Sequence, residues 1–233
     1  MTARLGRPRA LLFDWDNTLV DTWETIHDAL VVTFAAMGHE PWTLQQTKLR
    51  VAKSLRDAFP AIFGERWEEA RALYLDTFKA THLERLRAID GAAELIAELA
   101  GAGFYLAVVS NKTGDVLRRE AEHLGWSRHF QRLVGAGDAA LDKPHAAPVL
   151  LALHGSAIAC GETWYVGDTA LDMECARNAG CFGVLLGARA LEDESFARFP
   201  PDLHFPGCAD FGKHLRALSQ RCGLKGHPVK EGE

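Results

Sequence analysis

The stretch "LLFDWDNTLVDT", Leu11 to Thr22, is an apolar run that stops at two aspartates, Asp14 and Asp16, held two residues apart. The run itself, "ALLFD" from Ala10, is short and wholly apolar. It suits a strand buried on both faces, the habit of a parallel sheet rather than of a half-wet antiparallel one. Two like charges so close repel, and a fold usually separates them or supplies a cation. The stretch therefore raises two questions: which sheet this strand enters, and what sits at its acidic end.

The rest of the chain answers the first. Asp21 lies three residues before Glu24, as in a capping box, and the next helix runs through "TIHDALVVTFAAM" to Gly38. From Pro41 to about Arg87 the pattern stays helical. "RVAKSLRDAFPAIFG" places Val51, Leu55, Ala58 and Ile62 on one face, and "ERWEEARALYLDTFKATHLERL" reads as one long helix. After Asp90-Gly91 the rhythm changes to helix "AAELIAELAGAG", strand "FYLAVVS", helix "KTGDVLRREAEHLG", strand "RLVGAG", helix "APVLLALHG", strand "TWYVGD", helix "ALDMECARNAG" and strand "CFGVLLG". Strands alternating with helices imply right-handed βαβ units and a parallel sheet. The expected class is α/β, a core interrupted by a helical insertion, with a disordered tail "GLKGHPVKEGE".

Composition narrows the function. The 233 residues carry 26 basic and 31 acidic side chains, a net charge of −5, which gives no reason to expect nucleic acid as a partner. No stretch approaches the roughly 20 apolar residues of a membrane span. Arg4, Arg7 and Arg9 make a small basic start, but it is too short for a transit peptide and lacks the apolar run of a signal peptide. Cys160, Cys175, Cys181, Cys208 and Cys222 form no CxxC or metal-ligand spacing and read as reduced thiols of a cytoplasmic protein. The ten histidines show no HExxH spacing, and Gly101-x-Gly103 precedes a strand rather than following one, so it is no dinucleotide loop.

In an open parallel sheet, ligands bind beyond the carboxyl ends of the strands. There this sequence places Asp14-Trp15-Asp16, Ser110-Asn111-Lys112, a loop "LDKPHAAP" with Lys143, and "GDTALD" with Asp168 and Asp172. Several carboxylates in one crevice favour a hard divalent cation such as Mg²⁺. A lysine and a serine beside it suit a phosphoryl group. One carboxylate can attack phosphorus, and a second, two residues on, can protonate the leaving oxygen and then deprotonate water. That is a phosphate-ester hydrolase in outline.

Asp14-x-Asp16-x-Thr18, Ser110, Lys143 and Gly167-Asp168-x-x-x-Asp172 resemble, in order and spacing, the four motifs of the haloacid dehalogenase superfamily. "VSNKTG", "DKPHAAP" and "YVGDTALDMECARNAG" are similar to its phosphoglycolate phosphatase-like branch. The resemblance covers about residues 10 to 187. It implies a Rossmann-like core (1–19 and 88–222), an inserted small helical cap domain (20–87) and a tail from 223 to 233. It assigns Asp14 as nucleophile and metal ligand. Asp16 becomes the general acid/base, its backbone carbonyl on the metal. Ser110, the Asn111 amide and Lys143 bind phosphate, and Thr18 steadies the loop beside them. Asp168 binds Mg²⁺, and Asp172 acts through water or towards Lys143. The family usually has Gly where this chain has Asn17, one of the few other residues that tolerates positive φ. Trp15 departs from the usual small or aliphatic residue and is read as core packing on the strand's far side, with stacking on the substrate as the minor reading.

The basic run Lys48, Arg50, Lys53 and Arg56 has two readings, a solvated helix face, favoured for most of it, and recognition of an acidic substrate group, with Arg50 and Lys53 as candidates. The expected activity is Mg²⁺-dependent hydrolysis of a small phosphorylated metabolite, with phosphoglycolate the substrate the resemblance suggests. The expected assembly is a monomer or homodimer, with neither nucleic acid nor membrane as partner. A phosphomutase shares every motif. A dehalogenase would have no need of Asp16. A non-catalytic phospho-ligand module is disfavoured by the joint presence of Asp14, Asp16, Lys143 and Asp168.

Overall fold

The computed structural model describes residues 6–187 and 194–223, without the side chains of 221–223. The apolar run becomes β1 (Ala10–Phe13), and both its faces are indeed covered. Leu11 and Phe13 enter one core cluster, Ala10 and Leu12 another on the opposite face. β1 lies in the middle of a six-stranded sheet with β4 (Tyr105–Thr113), β5 (Arg132–Ala136), β6 (Thr163–Gly167), β7 (Phe182–Leu186) and β8 (Leu203–Phe205). The order is β5-β4-β1-β6-β7-β8 and all pairs are parallel. The sheet is the expected α/β, Rossmann-like architecture. On the Leu11 face pack α5 (Ala92–Gly101), α6 (Gly114–His123) and α9 (Cys208–Gly223). On the other pack α7 (Ala147–Leu153) and α8 (Ala170–Ala179). Because the chain leaves β1 for β4 on one side and reaches β6 on the other, the crevice beyond the carboxyl ends of these strands is a topological switch point.

Between β2 (Val20–Asp21) and β3 (Arg87–Ala88), a two-residue antiparallel pair, the chain is helical: α1 (Trp23–Ala36), α2 (Leu44–Arg50), α3 (Leu55–Phe63) and α4 (Trp67–Arg85). These helices share an aromatic core of their own, including Phe34, Phe59, Phe63, Tyr74 and Phe78. Among the described residues no helix is long and apolar enough to cross a membrane.

Local expectations needed correction in four places. Asp21 is not the helix cap. Thr22 occupies the N-cap position of α1, without a side-chain cap bond, because its hydroxyl donates to Asp16 Oδ1 at 2.7 Å. Asp21 only accepts from the Trp23 amide at 3.3 Å. The single helix expected over "RVAKSLRDAFPAIFG" is broken: Val51 is extended and Ser54 opens α3. The break frees the Ala52 carbonyl, which accepts from Asn111 Nδ2 at 3.1 Å. Arg56 departs from the solvated face expected for most of the basic run, since its half-buried guanidinium turns to the core. Its Nε and Nη2 each lie 2.6 Å from a carboxylate oxygen of buried Asp142, the residue before Lys143. Finally, β8 and α9 were not foreseen. The disorder expected of the tail falls, from residue 224 onward, outside the described residues, and Gly223 ends α9.

One glycine fixes how β4 enters α6. A Cβ on Gly135 of β5 would lie 2.6 Å from the Lys112 carbonyl oxygen and 2.7 Å from the Gly114 nitrogen, both backbone atoms. Overpacking of this kind typically costs about 1–3 kcal/mol. Gly135→Ala should therefore lower the unfolding free energy by about that amount in urea titration. Unchanged stability would mean that the β5–α6 junction is looser than described.

Candidate active site

The loop after β1 is a tight return. The Asp14 amide donates to Val166 O at 2.8 Å, which anchors the residue between β1 and β6. Leu19 and Val20 donate back to the Trp15 carbonyl, and Asn17 sits at φ 62, the left-handed conformation expected of it. The turn presents the Asp14 and Asp16 side chains to the crevice.

Lys143 brings the pieces together. Its ammonium donates to Asp14 Oδ1 at 2.7 Å and to Asp172 Oδ1 at 2.8 Å, and the residue is 3% exposed. The other oxygen of Asp172 accepts from the Thr169 amide and hydroxyl at the start of α8. This packing is possible because residue 167 is glycine: a Cβ there would lie 2.6 Å from Asp172 Oδ2. Asn111 holds the Lys143 backbone from both sides, accepting from its amide at 3.0 Å and donating to its carbonyl at 3.2 Å. Thr18, fully buried, donates to Asp168 Oδ1 at 3.2 Å. Ser110 is also buried, and its Oγ accepts from the Lys112 amide at 3.2 Å.

Asp14, Ser110, Asn111, Lys143 and Asp168 line one cleft with Asp16, and Asp172 lies behind Lys143. The cleft holds ≈ 790 Å³ of empty space, open solvent at its mouth included. Its far wall comes from the helical insertion and is apolar: Trp23, Ile26, Leu55, Tyr74, Leu75 and Phe78. Lys53 is the charged residue that the insertion contributes to this lining. Arg50 instead lines an adjoining smaller cavity, its guanidinium 5.0 Å from the Trp42 ring centroid.

Charge in the cleft is unbalanced. Burial pushes the Asp14 carboxyl up to about 6; Lys143 opposes the shift, and Asp172 and Asp16 add to it. Burial alone would lower Lys143, but the two carboxylates beside it more than offset that and hold it protonated. Asp14, Asp168 and Asp172 each offer a buried oxygen within 4.8 Å of the others. Two of those three share a single ammonium. A surplus of buried carboxylate oxygens is a donor set that fits a hard divalent cation.

A second charged group escaped the sequence reading. Lys112 Nζ lies 2.7 Å from Asp16 Oδ1 and also meets both oxygens of Glu120, at 2.9 and 2.7 Å. Glu120, wholly buried, further accepts from Trp15 Nε1 at 2.7 Å and lies 2.9 Å from His82 Nδ1 of α4. Burial would raise Glu120, yet Lys112, His82 and Trp15 together hold it below its usual range. Trp15 does pack in the core, edge-on to Trp126 and Phe130, but its indole N–H is committed to this carboxylate. The signal that could have found the cluster was an aromatic N–H in the acidic turn itself, since a buried indole needs an acceptor.

Comparison with known proteins agrees with this geometry. Residues 11–185 match the family model described as haloacid dehalogenase-like hydrolase. The chain is 30% identical over 193 residues to a phosphoglycolate phosphatase of Xanthomonas campestris pv. campestris, covering 80% of this chain and 87% of that protein. It is 32% identical over 220 residues to a 5'-nucleotidase of Pseudomonas aeruginosa, covering 90% and 93%. A crystal structure of a predicted phosphatase from Clostridium acetobutylicum superposes with a TM-score of 0.79 at 20% identity, over 90% of this chain and 99% of that one. The chain belongs to the haloacid dehalogenase-like hydrolases, and within them it is similar to the phosphoglycolate phosphatases.

Proposed function

We propose that this protein is a Mg²⁺-dependent phosphatase that hydrolyses a small phosphate monoester through an aspartyl-phosphate on Asp14. The observation that carries the reading is Lys143, which bridges Asp14 and Asp172 at the end of the central strand, in a cleft that also contains Ser110 and Asp168. An Asp14 oxygen attacks phosphorus and the bond from phosphorus to the ester oxygen breaks. Asp16 gives its proton to the departing alcohol. Water then loses a proton to Asp16 and attacks phosphorus, breaking the bond to Asp14 and releasing inorganic phosphate. Ser110, the Asn111 amide and the Lys143 ammonium hold the phosphoryl oxygens, while Thr18 steadies the loop through Asp168. Asp14, Asp168 and the Asp16 carbonyl would hold Mg²⁺, which when bound neutralises negative charge between carboxylates and phosphate. The helices of residues 20–87 act as a cap that excludes water from the cleft and limits the substrate to a small molecule.

Two leaving groups compete. Phosphoglycolate, the substrate named for one relative, offers a carboxylate that Lys53 can pair. A nucleoside, the kind of leaving group implied by the name of another, offers an aromatic face to the wall of Trp23, Tyr74 and Phe78. The apolar wall favours the second reading, and Lys53 the first. The cytoplasm remains the proposed setting.

Phosphate release from a panel of phosphorylated metabolites, with and without Mg²⁺, tests the main reading. Activity should vanish in EDTA and return with Mg²⁺, and Asp168→Ala should raise the Mg²⁺ concentration needed. Full turnover after exhaustive chelation would sink the metal assignment.

Lys53→Ala should raise KM up to about fivefold for phosphoglycolate and change it little for p-nitrophenyl phosphate, which has no second acid. Equal effects on both would remove Lys53 from substrate recognition.

Asp14→Asn should abolish turnover in a folded protein. It should also change how stability depends on pH. With its carboxyl at about 6, native Asp14 holds a proton that the unfolded chain has already lost, so stability is fully present below about pH 4 and declines as pH rises through about 6. Asparagine has no such titration. The unfolding free energy of the wild type minus that of the variant should therefore fall by on the order of 2–3 kcal/mol across that window in metal-free urea titrations. A difference that is flat with pH would contradict the buried, raised Asp14.

A further inference from the structure

We propose that Lys112 and Glu120 are positioning residues for Asp16, linking the seating of the helical insertion, through His82, to the placement of the carboxylate that carries the proton. The proposal rests on the reading of Asp16 as general acid/base.

The chain of contacts is continuous and buried up to Asp16, which is partly exposed at the cleft. His82 Nδ1 of α4 lies 2.9 Å from Glu120 Oε1, Glu120 receives Lys112 on both oxygens, and Lys112 Nζ lies 2.7 Å from Asp16 Oδ1. The side chains of His82, Glu120 and Lys112 are 2%, 0% and 5% exposed. Trp15, the neighbour of both catalytic aspartates, closes the cluster by donating to Glu120 Oε2. A second contact from the insertion falls on the same lysine: its ammonium lies 4.8 Å from the ring centroid of Phe78, one turn before His82 on α4. The insertion therefore touches this cluster at two points, close to where it rejoins the core at β3.

Charge burial of this kind is a poor way to gain stability. Replacing a buried ion pair by apolar residues of like volume is often neutral or favourable, so the pair is better explained by what it holds in place. What it holds is Asp16. Lys112 and the Thr22 hydroxyl both reach Oδ1, each at 2.7 Å, so two donors at one atom fix the rotation of the carboxyl group. Oδ2 is then the oxygen left to exchange the proton. Glu120 fixes the lysine in turn, and its remaining acceptor capacity is taken by Trp15 and His82. When the insertion lifts away, Glu120 loses His82 and Lys112 loses Phe78. The placement of Asp16 is then tied to closure of the cleft over a substrate.

A misplaced general acid has a signature that general damage lacks. A p-nitrophenolate group leaves phosphorus without needing a proton, whereas an alkoxide does not. Glu120→Gln and Lys112→Met should lower kcat/KM for a simple alkyl phosphate by about 10²-fold, within the range of general acid catalysis. The loss for p-nitrophenyl phosphate should be at least tenfold smaller. His82→Phe should move the ratio the same way by a smaller factor. In an Asp16→Ala background, Glu120→Gln should no longer change the ratio, since the effect passes through Asp16. Glu120→Gln keeps shape and size, so it serves where Lys112→Met fails to fold, and circular dichroism separates the two cases. Equal losses on both esters, or a ratio that still moves without Asp16, would overturn the relay. Wild-type protein that hydrolyses neither ester would overturn the phosphatase reading and the relay with it.

Discussion

The buried ammonium of Lys143 is the contact on which the site depends. It stands between Asp14, at the end of β1, and Asp172, in the first turn of α8, residues separated by more than half the chain. Without it, two carboxylates would face each other in a low-dielectric crevice and one would have to take up a proton. Much of the surrounding architecture serves to place this one group. Gly167 leaves room for Asp172, Thr169 ties down its second oxygen, and Asn111 clasps the lysine backbone on both sides. A buried carboxyl kept at a raised pKa beside a fixed cation is an arrangement that burial disfavours, and perturbed groups of this kind cluster at functional sites.

The insertion is coupled to the same lysine loop. Arg56 of α3 grips Asp142 with two hydrogen bonds, and Asp142 Oδ1 also accepts from the Gly137 amide. The Asn111 amide group reaches both Lys143 and Ala52. Movement of the insertion therefore pulls directly on the residues flanking Lys143. An apolar pair between insertion and core would hold the two together with no such directionality, because bidentate Arg–carboxylate geometry fixes angle as well as distance.

The sheet was legible because parallel strands announce themselves: wholly apolar runs, each followed by a polar turn and a helical period. The acids and the lysine were legible because they sit in those turns. The β8 strand and α9 were not, since "LHF" is too short to stand out and the segment before it has no repeating pattern. The break before α3 was hidden because Val51, Leu55, Ala58 and Ile62 keep a helical spacing across it, although Ser54-x-x-Asp57 carries a local helix-start signal and the Ala52 carbonyl is taken by Asn111. Arg56 looked like a surface charge because Asp142 is 86 residues away. The Asn17 turn, in contrast, was expected from the glycine the family usually has there and from the tolerance of asparagine for positive φ, which the residue adopts.

The cluster around Glu120 marks the deeper limit. Trp15, His82, Lys112 and Glu120 come from the turn after β1, the insertion, a strand end and a helix, with no spacing that connects them. Each has an ordinary explanation when read alone: a core aromatic, a helix histidine, a turn lysine, an exposed helical acid. The ordinary explanation fails for Glu120 in particular, which is wholly buried, a rare state for an acid unless its partners are also buried. Once one charge is placed in the core, buried partners are favoured, because a buried acceptor left without a donor carries its desolvation cost. A constraint of that kind acts on the assembled set and leaves no trace in any single segment. The carboxylates at the strand ends can thus be read from sequence, while the buried cluster that contacts one of them emerges only when the insertion and the core are seen together.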